Sequence, residues 1–379
     1  MHRVNGIARF IVDKLVKRTS ELSQGRNAGC FGFIDEKGYI TSISEIVDGG
    51  LNGIPLRILL GKLVEIKHNS ILEGINQLPP NVVFITTRPG KTGLITDVSG
   101  VDFFNLPIVS IGVKNFANTG VAIIYPESEF FNLATKVEKL NLDTLSTTTM
   151  EEEKEILRQS NELGFRFLDV GHELKIADLP EGSAAKVKKT KNGWRLPRNQ
   201  IKVLDKEFAE VLVAKSMELG QGREVAALGI VDNKGVVSSQ GKIVCGGIGF
   251  VPSRLLASSM VDITDKSLQT IYSDYVPKNA VIVHTHPGGT GVMHVGDAHA
   301  GPGTWGRPII AIGHDKEGQI RGATVIEVTD KLFDLADEDE MLSSKYFETK
   351  TPEEEAEIRN RKLGIAQDYT SLCKPIEIG

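Results

Sequence analysis

Two stretches of this chain repeat one another without a gap. Glu21 to Gly38 reads ELSQGRNAGCFGFIDEKG and Glu218 to Gly235 reads ELGQGREVAALGIVDNKG, at a constant offset of 197. The parallel continues through the pairs Gly49-Gly50 and Gly246-Gly247, then Pro55 with Pro252 and Arg57 with Arg254. One inserted residue later, NVVFITTRPGKTG (Asn81 to Gly93) matches NAVIVHTHPGGTG (Asn279 to Gly291) at an offset of 198. Further on, LPIVSIGV from Leu106 matches RPIIAIGH from Arg307, and GVAIIYPESEFFNLA from Gly120 matches GATVIEVTDKLFDLA from Gly322. Self-similarity on this scale means two copies of one domain, and 379 residues are enough to give each copy its own core.

Each copy opens on a helical pattern: Ile7, Phe10, Ile11, Val12 and Leu15 in the first, Phe208, Val211, Leu212 and Met217 in the second. Apolar β-type runs follow, CFGFID and ALGIVD, each ending in a turn signal, Asp35 to Gly38 and Asp232 to Gly235. A second helix is expected from Pro252 to about Tyr272, ahead of the strongly apolar NAVIV. The expected architecture is α/β, a tandem duplication of a mixed sheet with flanking helices. The copies are expected to span residues 1–135 and 204–340. Residues 136–203 are expected as a connector, with a charged helix and the basic stretch Lys186 to Arg195, and residues 341–379 as a helical tail.

The remaining composition narrows the function. A net charge of -5 lacks the basic excess of a nucleic-acid binder, so no nucleic-acid partner is expected. No apolar run reaches the roughly 18 residues of a membrane span, and Asp13 and Lys14 interrupt the N-terminal apolar stretch, unlike a signal peptide. Cys30, Cys245 and Cys373 have no C-x-x-C spacing, which suits a cytoplasmic protein and inert packing thiols.

Chemistry concentrates in the second copy. His284 and His286 stand two apart at the end of a β-type run and would point to one side of the strand, a chelating pair. Asp297 lies beyond the Gly-rich loop PGGTGVMHVGD, whose glycines let the backbone fold back toward the imidazoles. Two histidines and a carboxylate suit Zn2+ with one position left open, although other divalent transition metals accept the same donors. Glu224, at the edge of the apolar run VAALGIV, is the candidate general base, a carboxylate outside the ligand set that passes a proton from water to a leaving amine. In a bland reading it is a surface glutamate in a turn.

These residues resemble the JAMM (MPN-plus) metalloproteases, whose motif is an upstream glutamate, then H-x-H-P, then S-x-x-D after seven residues. Here Glu224 is followed by His284-Thr285-His286-Pro287, then by His294-Val295-Gly296-Asp297, with Pro287 to Met293 making up the seven. The spacing matches and the serine is replaced by His294. The resemblance implies a cytidine-deaminase-like mixed sheet, zinc held by His284, His286 and Asp297, and catalysis by Glu224 with His294 at the serine position. There His294 is an oxyanion donor, a fourth ligand that closes the site, or a group that tunes another metal. His299 is a further possible ligand, and His314 reads as structural.

The first copy serves as an internal control. Glu224 corresponds to Asn27, His284 to Thr86, His286 to Arg88, His294 to Thr96 and Asp297 to Ser99, while Pro89, Gly90, Thr92 and Gly93 persist. Five chemical positions differ together inside a kept frame, as when one function is lost as a unit. The first copy is therefore read as a metal-free, degenerate MPN-like domain that pairs with the second as an intramolecular pseudo-dimer. The expected function is zinc-dependent hydrolysis of an amide or isopeptide bond, on a peptide or small protein. By resemblance the substrate is the tail of a ubiquitin-like modifier or a sulfur carrier. The alternatives are a non-proteolytic amidohydrolase or deaminase-like enzyme, and a metal-stabilised interaction scaffold.

Overall fold

The structure, a computed structural model, describes residues 3–22, 24–51, 53–90, 93, 101–182 and 194–379. Thr92, Thr96 and Ser99, and residues 186–193 of the basic stretch, lie outside them.

The first sheet takes β1 (Gly6–Ala8), β2 (Ala28–Ile34), β3 (Tyr39–Ile43), β4 (Val47–Asp48), β5 (Val82–Pro89), β6 (Ile108–Lys114), β7 (Ala117–Ile124), β8 (Gly171–Glu173) and β9 (Ile176–Ala177). The second takes β10 (Val203–Leu204), β11 (Val225–Val231), β12 (Val236–Ser239), β13 (Val244–Cys245), β14 (Ala280–Pro287), β15 (Ile309–His314), β16 (Ile320–Ile326), β17 (Lys374–Pro375) and β18 (Glu377–Ile378). Their orders are β8-β7-β6-β5-β2-β3-β1-β9, with β4 beside β2, and β17-β16-β15-β14-β11-β12-β10-β18, with β13 beside β11. Each strand of the second sheet thus occupies the place of the strand nine earlier, and the two units share one topology.

Local chemistry sets the hairpins. Asp35 Oδ1 accepts from the backbone N–H of Lys37 and Tyr39, and Asp232 Oδ1 from those of Lys234 and Val236, all at 2.8 to 2.9 Å. An aspartate that mimics a backbone turn in this way closes β2 onto β3 and β11 onto β12. Helix Arg9–Leu22 covers one face of the first sheet and helix Lys206–Leu219 the same face of the second. Ile7, expected in the first helix, lies in β1 instead, paired with Ile40 of β3 and Ile176 of β9. The helix expected from Pro252 is broken: Ser253–Val261 ends on Asp262 in the left-handed conformation (φ +55°), and Ser267 caps a new start at Leu268 that runs on to Tyr275.

The domain boundaries need correction. Residues 136–203 are not a separate connector, because helix Met150–Val170 packs on the first unit and β8 and β9 close both edges of its sheet. The expected tail does the same for the second unit, through helix Pro352–Thr370 with β17 and β18. A signal for this stands in the sequence. Thr149 and Thr351, 202 residues apart, each form a capping box with the glutamate three residues on, Glu152 and Glu354. Both helices are rich in charge and mostly exposed, so that correspondence is easy to miss.

The units touch through reciprocal contacts. Glu340 accepts from the backbone N–H groups of Arg57 (2.8 Å) and Ile58 (3.3 Å), and Glu138 from those of Arg254 (3.3 Å) and Leu255 (3.1 Å). The guanidinium of Arg57 lies over Phe333 and that of Arg254 over Phe131, at 5.5 and 5.4 Å. In both cases a carboxylate from one unit satisfies the orphan N–H groups at a helix start in the other. Glu138→Ala and Glu340→Ala are therefore each expected to cost about 1–3 kcal/mol, read as a fall in the urea midpoint. A neutral result for one of them would break the reciprocity. Burial raises both carboxyls, Glu340 to about 7. The native state then holds a proton that the unfolded chain has released, so this stability is full below about 4.5 and is lost as pH rises through 7. Glu340→Gln is expected to flatten that slope.

Candidate metal centre

The parallel pair β14 and β15 cannot be joined by a tight turn and needs a crossover. In this unit the crossover is residues 288–308, and it leaves from the end of β14, where His284 and His286 stand. Along β14, Val281 and Val283 pack on the face covered by helix Lys206–Leu219, while Ala280 and Ile282 pack on the other. Strand alternation puts His284 and His286 on the second face. On neighbouring β11, Ala226 pairs with His284 and packs in the same core, so Glu224, two residues earlier, shares that face.

Backbone packing fixes the loop. Gly291 has φ +82°, and a Cβ there would lie 2.7 Å from the carbonyl oxygen of Ala311, so only glycine lets the loop lie this close to β15. The Thr324 hydroxyl donates to the Gly291 carbonyl. The chain then turns at His294 into the short helix Val295–Ala298, whose third residue is Asp297. The His294 N–H donates to Asp297 Oδ2 at 2.9 Å, which leaves Oδ1 turned to the imidazoles, 3.2 Å from His284 Nε2 and 3.8 Å from His286 Nε2.

Donor atoms of His284, His286 and Asp297 all lie within 4.8 Å of one another, and together they form a group able to hold a metal ion. Hydrogen bonding tests the fit. His284 Nδ1 is 2.8 Å from the Ile310 carbonyl, which can only accept, so Nδ1 carries the proton and the Nε2 lone pair faces the group. That lone pair sits 2.9 Å from His286 Nε2 and near a carboxylate oxygen. A lone pair, a second ring nitrogen and a carboxylate oxygen crowded together call for a positive charge between them, a proton on His286 or a metal ion, and a carbonyl behind a histidine is the support that metal sites use. The electrostatics agree. Burial alone would lower the His286 pKa, yet Asp297 and then Glu224 outweigh it and leave it raised. Burial alone would raise Asp297, but hydrogen bonds from both imidazoles hold it far below the carboxylate range. Burial pushes Glu224 up, and the imidazoles partly offset this.

The group opens into a cleft of about 650 Å³, lined also by Glu224 and by an exposed His294. A groove of about 870 Å³ between helix Lys206–Leu219 and β16 is larger, but it contains none of these residues. His299 is turned away, its Nε2 3.0 Å from the hydroxyl of Tyr369 on the C-terminal helix. His314 is buried at the end of β15 against Ser216, at 3.1 Å. All three cysteines are free thiols. In the first unit, Thr86 and Arg88 hold the β5 positions equivalent to the two histidines. Among the described residues only the one His-His-Asp group is found.

Several wall residues were not singled out from the sequence: Phe250, Tyr272 and Trp305. Aromatic side chains at such positions read as ordinary core, and Tyr272 differs from that pattern only in having Ile75 as its counterpart in the first copy. Comparison with protein-family models finds no match, and comparisons with curated proteins and with solved structures find none either. The molecule is thus defined by its own features: a duplicated mixed α/β fold with, among the described residues, one His-His-Asp group. No helix among the described residues is long and apolar enough to cross a membrane.

Proposed function

We propose that the second unit is a metal-dependent hydrolase of amide or isopeptide bonds, with zinc as the resident ion, His284, His286 and Asp297 holding it, and Glu224 as general base. One observation carries this reading: the three donors converge in a cleft that also contains a half-buried glutamate, and the equivalent strand of the first unit has Thr86 and Arg88 instead. A divalent ion held there supplies Lewis-acid chemistry, polarising a carbonyl and acidifying water. The chain does the rest. Glu224 takes the proton from water and hands it to the leaving nitrogen, a task that a carboxyl raised by burial suits. His294 lines the same cleft outside the three-donor group, which favours its role as hydrogen-bond donor to the developing oxyanion over that of a fourth ligand. The substrate is a peptide or the tail of a small protein, a ubiquitin-like modifier or a sulfur carrier by the motif's resemblance, in a cytoplasmic setting. The two units act as an intramolecular pair, the first shaping the groove of the second.

The test is hydrolysis of peptide and ubiquitin-like fusion amides before and after chelation. Activity is expected to vanish with the metal and return on adding zinc. Activity that survives exhaustive chelation rules the proposal out. Turnover of small aryl amides alone, with fusions untouched, would instead favour the non-proteolytic amidohydrolase.

A further inference from the structure

We propose that the wall of the cleft beside the metal group is a subsite for one apolar side chain, aromatic or branched aliphatic, of a peptide substrate, adjoining the bond that is cleaved. This rests on the hydrolase reading for the bond, though not for the binding. The indole of Trp305 stacks on Tyr272, ring centroids 4.4 Å apart at 16°, and Phe103 of the first unit packs against it at 4.9 Å. Trp305 and Tyr272 both line the cleft, with the buried Leu256 and Ile282 beside them. Among the described residues neither a lysine nor an arginine lines it, and its histidines stand at the donor group and the lip rather than on the ring wall. A basic side chain would have only Glu224 and Asp297 to meet, both already facing the imidazoles. The lips are apolar as well. Ile248 is 76% exposed and Phe250 46% on one side, and Val292 is 39% exposed on the other.

Comparison within the chain favours a ligand over mere core packing. At the positions of Phe250 and Tyr272 the first copy has Gly53 and Ile75, while Trp305 is matched by Phe104, so two of the three rings occur only in the copy with the His-His-Asp group. The volume, about 650 Å³, is that of a small-ligand pocket rather than of a platform for a folded surface. A single bulky side chain with its flanking backbone fits such a space.

The test uses the full chain carrying Glu224→Gln, to prevent turnover, and the capped tripeptides acetyl-Ala-X-Ala-amide, with X as Phe, Leu, Gly or Arg, titrated by calorimetry with and without zinc. The Phe and Leu peptides are expected to bind at least about tenfold more tightly than those with Gly or Arg. Adding Trp305→Ala should remove that preference. Phe250→Ser, at an exposed lip where folding is not at stake, should reduce it several-fold. Equal binding of the Gly or Arg peptide, or a preference that survives both substitutions, overturns the subsite. A chain that shows the preference but neither takes up metal nor hydrolyses amides supports the subsite and sinks the hydrolase. Hydrolysis by the wild-type chain with no apolar preference does the reverse.

Discussion

Glu224→Gln is expected to lower the rate of amide hydrolysis by about 10²- to 10⁴-fold, with the metal content and melting temperature of the wild-type chain retained. The glutamine has the shape of the glutamate and keeps its hydrogen-bonding reach, but it cannot accept a proton. The backbone of Glu224 is tied by its own ladder, its N–H to the Gly247 carbonyl and its carbonyl to the Gly246 N–H, and these bonds do not depend on the side chain. Its carboxyl is raised by burial and lies within the field of His284, His286 and Asp297 without joining their contact set. Loss of rate with the metal in place therefore assigns Glu224 to proton transfer. Loss of both would make it a ligand, contrary to the present account.

The second large effect concerns the donors themselves. Asp297→Ala and His284→Ala are each expected to weaken zinc binding by more than the roughly 10- to 100-fold that losing a mere supporting partner costs, and to abolish hydrolysis. Asp297 is the pivot of the group, since one oxygen is fixed by the His294 N–H and the other faces both imidazoles. Without it His286 loses the carboxylate that keeps its pKa raised. Protons compete for the same lone pairs, so zinc affinity falls on acidification. Because Asp297 keeps His286 raised above the usual 6.5, the fall should begin above that pH, and titration of zinc binding against pH would show it.

Much of the fold was legible in the sequence, for physical reasons that can be named. The duplication showed because turns and buried strands tolerate few substitutions: Asp35 and Asp232 each hold a hairpin, and β2 and β11 are buried along almost their whole length. The two histidines were readable as a pair because strand alternation is rigid, and the structure brings their Nε2 atoms to 2.9 Å. What escaped depends on long-range packing. Helices Met150–Val170 and Pro352–Thr370 are mostly exposed, so their sequences look like linker and tail, although each brings strands that complete a sheet. The ring wall of the cleft escaped for the same reason, since Phe103 and Trp305 meet only when the two units pack together. Nor does local sequence indicate that His299 bonds to Tyr369 rather than joining the donors.

If His284, His286 and Asp297 hold a metal ion, it should accompany the chain through purification. Elemental analysis of the full chain, purified without chelators, tests this most directly, with His284→Ala purified alongside. Close to one zinc, or another divalent transition metal, is expected per wild-type chain and almost none in the variant. A wild-type chain that is folded but metal-free, and that takes up no zinc when it is offered, would contradict this.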